Sequence, residues 1–257
     1  MQISPVPSSA PASGSVQSID RAMRLLETIG DLGGTASIAE ISARLNLPKA
    51  TVHRIAGTLG ERGYVRQQSD RRYALGPGLI RIGEQATKLL GTWAMPELTA
   101  LVNELGETAN LAALDGSMVT YIAQVPSRYS MRTFTEVGRR VHPHSSGVGK
   151  ALLAQLPNAQ IRIALADSGM PRYTDTTITD EQSFMEEIEV IRAQGFAVDE
   201  GEYESGSRCF AVAVPANSIA VALSVSGPAH RVKLENSERW VAALHVAAKH
   251  LASALDQ

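Results

Sequence analysis

The sequence predicts an α+β chain: a winged helix-turn-helix, a linker helix, and a second domain built on a mostly antiparallel sheet. Three observations carry this reading. Residues 16–62 hold three short helical patterns closed by a polar hairpin, and beyond Pro96 the texture changes to apolar strand runs interleaved with helices. Charge divides at the same place. Residues 16–90 contain 11 Lys/Arg against 7 Asp/Glu, and the rest of the chain 13 against 19, beneath a net charge of −2. A basic module beside an acidic one suits a chain whose first part alone meets a polyanion.

The first helix follows from Ile19, Met23, Leu25, Leu26 and Ile29, with Asp20 in its first turn and Gly33-Gly34 beyond its end. Ser37-Ile-Ala-Glu40 is a capping box: the Ser37 hydroxyl accepts from the Glu40 amide while the Glu40 carboxylate reaches back. It opens a short helix that turns Ile38, Ile41 and Leu45 inward. Pro48 suits the first turn of a third helix, which runs to about Arg62 and stops at Gly63. That helix has two faces. Val52, Ile55, Ala56 and Leu59 share one; Lys49, Ala50, His53, Arg54 and Gly57 share the other. Cations and hydrogen-bonding groups near a helix start are what a major-groove reader presents. Tyr64-Val-Arg66 and Tyr73-Ala-Leu75 then flank a polar turn ending in Arg71-Arg72, a basic hairpin placed to lie along phosphates. The expected DNA-contacting set is Arg21, Lys49, Ala50, Thr51, His53, Arg54, Arg71 and Arg72.

A helical connector over 79–92 carries Leu79, Ile82, Leu89 and Leu90, and a helix over Pro96–Leu105 follows. Strands are expected at Asn110–Leu114 and Val119–Val125, joined by an Asp115-Gly116 hairpin turn, and at Ser130–Thr135 before a Gly138-Arg-Arg140 turn. Gly147–Leu156 reads as helical. Thr179 with Gln182 caps a helix that runs to Gln194 and stops at Gly195. Strands at Phe196–Val198, Cys209–Val214 and Ile219–Val225 precede a closing Ala-rich amphipathic helix.

Composition excludes several classes. With 257 residues, 44% hydrophobic and 19% charged, the chain is neither wholly disordered nor collagen-like. A single cysteine, Cys209, rules out an internal disulfide framework and a Cys-rich zinc site. No apolar run approaches the ~18–20 residues of a membrane span, and residues 1–15 read as a flexible Pro/Ser tail without a secretory pattern, so the expected location is the cytoplasm. No Gly-x-Ser-x-Gly elbow, His-Glu-x-x-His helix or dinucleotide fingerprint is present, and no catalytic residue is assigned. His142 and His144 alternate as a metal pair would, but no third ligand is evident, and neither metal nor cofactor is expected.

The chain resembles the IclR family of bacterial transcriptional regulators. The matching blocks are Ser18-Ile-Asp-Arg-Ala-Met-Arg-Leu-Leu-Glu, Leu47-Pro-Lys-Ala-Thr-Val-His-Arg and Tyr73-Ala-Leu-Gly-Pro in the first part. The second part adds Gly106-Glu-Thr-Ala-Asn-Leu, Val137-Gly-Arg-Arg, His144-Ser-Ser-Gly-Val-Gly-Lys-Ala-Leu-Leu, Thr177-Ile-Thr-Asp, Gly195-Phe-Ala-Val-Asp-Glu and Leu223-Ser-Val-Ser-Gly-Pro. Their order and spacing, more than any one block, make the resemblance specific. It implies a tail over 1–15, a winged helix over 16–78, a linker helix over 79–94 and a GAF-like effector-binding domain over 95–257. It also implies a homodimer or dimer of dimers on a pseudo-palindromic operator, and no membrane. Ala50 stands where the family commonly has Ser, which removes a hydroxyl but leaves a methyl able to pack on thymine.

Carried over residue by residue, the resemblance places the effector among Thr133, Val141, Gly147, Val148, Asp199, Ser207, Cys209, Ser224 and Ser226. Ser145-Ser-Gly-Val-Gly-Lys150 opens a helix whose amides suit a carboxylate. It is not a nucleotide loop, because His144 and Ala151 stand where such a loop needs Gly and Ser/Thr. An ionised Asp199 would repel an anion unless it accepts a ligand proton. The expected effector is therefore a small organic acid bearing a carboxylate and a donor, such as a hydroxylated or aromatic acid. A DNA-binding architectural protein without an effector is the alternative reading.

Overall fold

The computed structural model describes residues 16–131, 135–216 and 219–255. The chain divides into two compact units, one ending at Ala86 and the other starting at Thr87.

The first unit packs α1 (Gln17–Asp31), α2 (Ile38–Leu45) and α3 (Lys49–Glu61) around Leu25, Ile29, Ile41, Leu45, Val52, Ala56 and Leu59. The capping box forms: Glu40 N donates to Ser37 Oγ at 3.2 Å, and Ser37 N donates to Glu40 Oε2 at 2.7 Å. Pro48 sits at the N-cap of α3 rather than inside its first turn, and its carbonyl accepts from the Thr51 and Val52 amides. Strands β2 (Val65–Gln67) and β3 (Tyr73–Leu75) form the expected hairpin. A third strand, β1 (Thr35–Ala36), pairs with β3; two residues are too few to show an alternation in sequence. At Gly76 a Cβ would lie 2.2 Å from the Gly63 carbonyl oxygen, so glycine there lets the strand exit cross the end of α3. One part of the α1 pattern departs from expectation. Leu25 and Ile29 are core, but Ile19 and Met23 are 61% and 52% exposed and form an outward apolar stripe with Val16.

Helix α4 (Gly78–Gly91) crosses the division between the units, with Ile80 and Ile82 exposed; the side chains of Leu89 and Leu90 lie outside the described set. In the second unit, α5 (Met95–Leu105) precedes β4 (Thr108–Asp115) and β5 (Met118–Val125). Then come β6 (Arg140–Val141), α6 (Gly147–Leu153), α7 (Asn158–Ser168), α8 (Glu181–Gln194), β7 (Ala197–Asp199), β8 (Ser207–Ala213), β9 (Val221–Pro228) and α9 (Ser237–Leu255). The sheet order is β6-β5-β4-β9-β8-β7, antiparallel throughout. One face packs Leu111, Phe210, Val212, Leu223 and Val225 against α5 and α9 through Leu98, Trp240, Leu244 and Leu251. The other packs Val119, Tyr121, Cys209, Ala211 and Ala222 against Val148, Leu152, Phe184 and Ile188 of α6 and α8.

Three expectations need correction, and one helix was not expected. Ser130 and Met131 form a bend, not the start of a strand; Thr133 lies outside the described residues, and β6 takes the place beside β5. Helix α6 ends at Leu153, three residues early, in a turn before Pro157. The cap of α8 is Asp180, which accepts from the Ser183 amide at 2.8 Å, while Thr179 Oγ1 accepts from Arg172 instead. Helix α7 has no counterpart in the sequence reading. Ile161, Ala164 and Leu165 are buried but Ile163 is 61% exposed, so its apolar residues draw no clean stripe.

Candidate functional site

On α3, Val52, Ala56 and Leu59 are buried and Ile55 half-buried, which leaves Lys49, Ala50, His53 and Arg54 exposed on the opposite side and Thr51 half-buried between. Arg21 is half-buried on α1. The wing separates its two arginines. Arg71 is exposed at the turn, in the left-handed backbone region (φ +65°). Arg72 is drawn back: its guanidinium pairs with Glu40 at 3.1 Å and donates to the Thr35 carbonyl at 3.2 Å. This ties the wing to the start of α2. Arg71→Gly is expected to relieve about 1 kcal/mol of backbone strain while lowering the slope of log affinity against log salt by about 0.9, one phosphate contact. Arg72→Ala is expected to leave the slope unchanged and loosen the wing. Salt titrations of DNA binding and hydrogen exchange at 65–75 measure the two effects.

In the second unit the sheet aligns polar residues in two cross-strand rows on the face toward α6. One row runs Thr108, Ser226, Cys209, Asp199; the next runs Gln124, Asn110, Ser224 and ends against apolar Ala211. A bulge makes the second row possible. Leu111 pairs with Ala123 but Ala112 with Tyr121, so Ile122 is unpaired, and Tyr121 and Gln124 reach the same face although three residues apart. Gln124 donates to Asn110 Oδ1 at 3.0 Å and to the Thr135 carbonyl at 2.8 Å, and Asn110 Nδ2 donates to the Ser224 and Ser226 hydroxyls, both at 3.4 Å. Above this floor lies a cavity of about 40 Å³, with Tyr121, Ser146, Asp199, Ser226, Tyr203 and Arg139 among its walls.

Asp199 accepts from the Glu202 amide at 2.7 Å, yet burial, reinforced by the Glu202 charge, pushes its carboxyl up to about 7. Burial likewise pushes Cys209 up to about 12, so it stands as a thiol, and raises the Tyr121 phenol. Below the Glu202 loop, Lys150 is 1% exposed and pairs with Glu202 at 2.5 Å and Glu187 at 3.1 Å. Burial opposes the Lys150 charge, but the two carboxylates outweigh it and hold its pKa above the ordinary value. His144 is pulled down to about 4 by burial; its Nε2 lies 3.1 Å from the Pro171 carbonyl, which requires the proton there and leaves Nδ1 without a partner. Among the described residues, no three His, Cys, Asp or Glu side chains gather as metal ligands would.

Two family models match the chain: the IclR helix-turn-helix domain over residues 18–69 and the bacterial transcriptional regulator IclR C-terminal domain over residues 88–253. The chain belongs to the IclR family of bacterial transcriptional regulators. The HTH-type transcriptional regulator BhcR of Paracoccus denitrificans is 36% identical over 225 residues, 86% of this chain and 80% of its own. The crystal structure of an IclR transcriptional regulator from Alicyclobacillus acidocaldarius shares the fold at a TM-score of 0.81 and 29% identity, covering 95% of this chain and 100% of that one. An IclR homologue from Microbacterium hydrocarbonoxydans, solved with 4-hydroxybenzoate, shares it at a TM-score of 0.75 and 23% identity, covering 93% and 98%. These relatives are regulators, and the chain is a regulator rather than an enzyme.

Of the IclR positions carried over from the resemblance, Val141, Asp199, Ser207, Cys209 and Ser226 line the cavity. Gly147 lies behind it, where a Cβ would meet Cys209 Sγ at 3.1 Å; Val148 is in the core, and Ser224 is buried beneath Asn110. The α6 start is less open to an anion than its glycines suggest. The Ser146 hydroxyl accepts from the Gly149 amide at 3.2 Å, and a Cβ at Gly149 would lie 2.4 Å from Pro143, so that glycine serves close packing. Sequence reasoning missed Tyr121, Thr135, Tyr203, Glu204 and Arg139, and named Ser146 only as part of the Ser145–Lys150 run. For Arg139 a signal existed: a cation in the Gly138-Arg-Arg140 turn, just before the Gly-rich helix start.

Proposed function

We propose that this IclR-family regulator reads a pseudo-palindromic operator as a cytoplasmic homodimer. In this reading the exposed face of α3 enters the major groove, and a small organic acid in the second-unit cavity changes operator affinity. One observation carries the effector half: two rows of polar side chains cross an otherwise apolar sheet face and end beneath a cavity. A core without a ligand has no use for such a floor, which argues against an architectural protein lacking an effector. The relative solved with 4-hydroxybenzoate supports an acid bearing both a carboxylate and a hydroxyl. Two-fold assembly is supported by the outward apolar stripe Val16, Ile19 and Met23 and by exposed Ile80 and Ile82. Half-sites are then about one helical turn apart.

Calorimetric titration of the full chain with hydroxy, keto and aromatic acids tests the proposal, followed by operator binding with and without the acid that binds. A coupling of ~1–3 kcal/mol changes operator affinity about 5–150-fold. Asp199 gives the pH dependence its sign. Above about 7 its carboxyl ionises in the free protein, and an anion can enter only with uptake of a proton. Affinity is expected to fall about tenfold per pH unit beyond that point and to lose this dependence in Asp199→Asn. Equal affinity in wild type, Ser226→Ala and Asp199→Asn would remove the cavity from the function. Binding that leaves the operator untouched would remove regulation.

A further inference from the structure

We propose that Arg139 and Tyr203 form a latch over the cavity, and that the effector's carboxylate opens it by displacing the Tyr203 hydroxyl from the Arg139 guanidinium. This rests on the reading that the cavity binds an acid, and it moves the anion's seat from the α6 start to the rim.

Among the described residues, Arg139 is the only cation lining the cavity. Its backbone is fixed to β5: the Gly138 amide donates to the Tyr121 carbonyl at 2.7 Å, and the Tyr121 amide donates to the Arg139 carbonyl at 3.0 Å. Gly138 takes φ +88°, a turn that glycine enters without strain. From this base the Arg139 side chain reaches the opposite wall, where its Nη2 donates to Tyr203 Oη at 2.7 Å and its guanidinium carbon stands 5.2 Å from the ring centre.

The loop carrying Tyr203 is fastened immediately before it. Glu202 donates through its amide to Asp199, accepts from Lys150, and accepts through its carbonyl from the Thr177 hydroxyl at 2.6 Å. The Tyr203 ring is half-buried with its centre 4.8 Å from that of Tyr173, and exposed Glu204, Ser205 and Gly206 follow. With the backbone held on both walls, opening falls to side-chain torsions. The exchange has a chemical gradient. A neutral hydroxyl makes one bond to the guanidinium, whereas a carboxylate makes two charge-assisted ones in the geometry the fork is built for. Size demands the same event. About 40 Å³ admits only a few water centres, so an aromatic acid enters only as Tyr203 withdraws. The far end of the ligand then meets Asp199, Ser226 and Ser207 on the floor.

The test is calorimetry on the full chain with glycolate, lactate and 4-hydroxybenzoate, each beside its neutral amide, in wild type, Arg139→Gln, Arg139→Lys and Tyr203→Phe, with melting curves to establish folding. The latch predicts that Tyr203→Phe tightens the best-binding acid about three- to tenfold, because the competing hydroxyl is gone. It predicts that Arg139→Gln weakens that acid at least tenfold and erases its advantage over the amide, and that Arg139→Lys recovers part of the loss. Wild-type affinity in folded Arg139→Gln, with binding lost in Ser226→Ala, would overturn the latch and leave the cavity reading standing. Weaker binding in Tyr203→Phe would make Tyr203 a ligand contact and overturn the latch too. If no acid binds the wild type, the cavity reading falls and the latch with it.

Discussion

Lys150→Met is expected to destabilise the second unit by about 3–5 kcal/mol, the cost of leaving a buried charge without its partner. The lysine is nearly solvent-free and its main partner Glu202 is buried, so removing the ammonium strands a carboxylate beneath the cavity. Pairing the change with Glu202→Gln should recover most of the loss, since both charges then leave together. The sign with pH is fixed by the survivor. Burial already holds the Glu202 pKa above its ordinary value, and without Lys150 it rises further. Protonation relieves the stranded charge at low pH, so the penalty is larger at pH 8 than at pH 5. Urea denaturation followed by tryptophan fluorescence reads this unit alone, because Trp93 and Trp240 both lie beyond Ala86. A loss below about 1 kcal/mol at pH 8 would mean that water reaches Glu202 as freely as at an exposed pair.

The second large effect concerns α3. Arg54→Ala is expected to cost ~1–3 kcal/mol at a specific site if Arg54 meets a guanine edge, and Lys49→Ala with Arg54→Ala should reduce affinity for that site by at least a hundredfold. Both residues are exposed, and the buried side of the helix, Val52, Ala56 and Leu59, is untouched, so the variant keeps its fold. The duplex for the test is one selected by the native protein from random sequence, and the readout is a protection footprint. An unchanged footprint from a folded double variant would take α3 out of the major groove.

Local chemistry was legible in sequence wherever it closes within a few residues. The Ser37–Glu40 capping box and the two faces of α3 follow from neighbours three or four positions apart, as does the β4–β5 hairpin, although its turn is Gly116-Ser117, one residue later than Asp115-Gly116, because Asp115 still pairs with Met118. What spans the chain was not. The pairing of Arg72 with Glu40, 32 residues earlier, has no signature in local spacing. Tyr121, Arg139 and Tyr203 come from a strand, a turn and a loop with no shared spacing, and only the sheet order gathers them. At the α8 cap, Thr179 and Asp180 are adjacent candidates, and the helix starts one residue later than the Thr179 reading requires. The Gly-rich start of α6 misled in another way. Its glycines read as openings for an anion, but one of them is there because Pro143 leaves no room for a side chain.

The unpaired Ile122 in β5 makes that strand two segments out of phase. Up to Tyr121, odd-numbered residues face α6; from Ala123 on, odd-numbered residues face α9, and even-numbered Gln124 takes its place over the cavity floor. The bulge therefore lets one strand serve the cavity from both segments: Tyr121 before it stands in the wall, and Gln124 after it holds the floor through Asn110. Straightening the strand with Ile122 kept would turn Gln124 toward α9 and Ala123 toward the cavity, closing the polar row at its root.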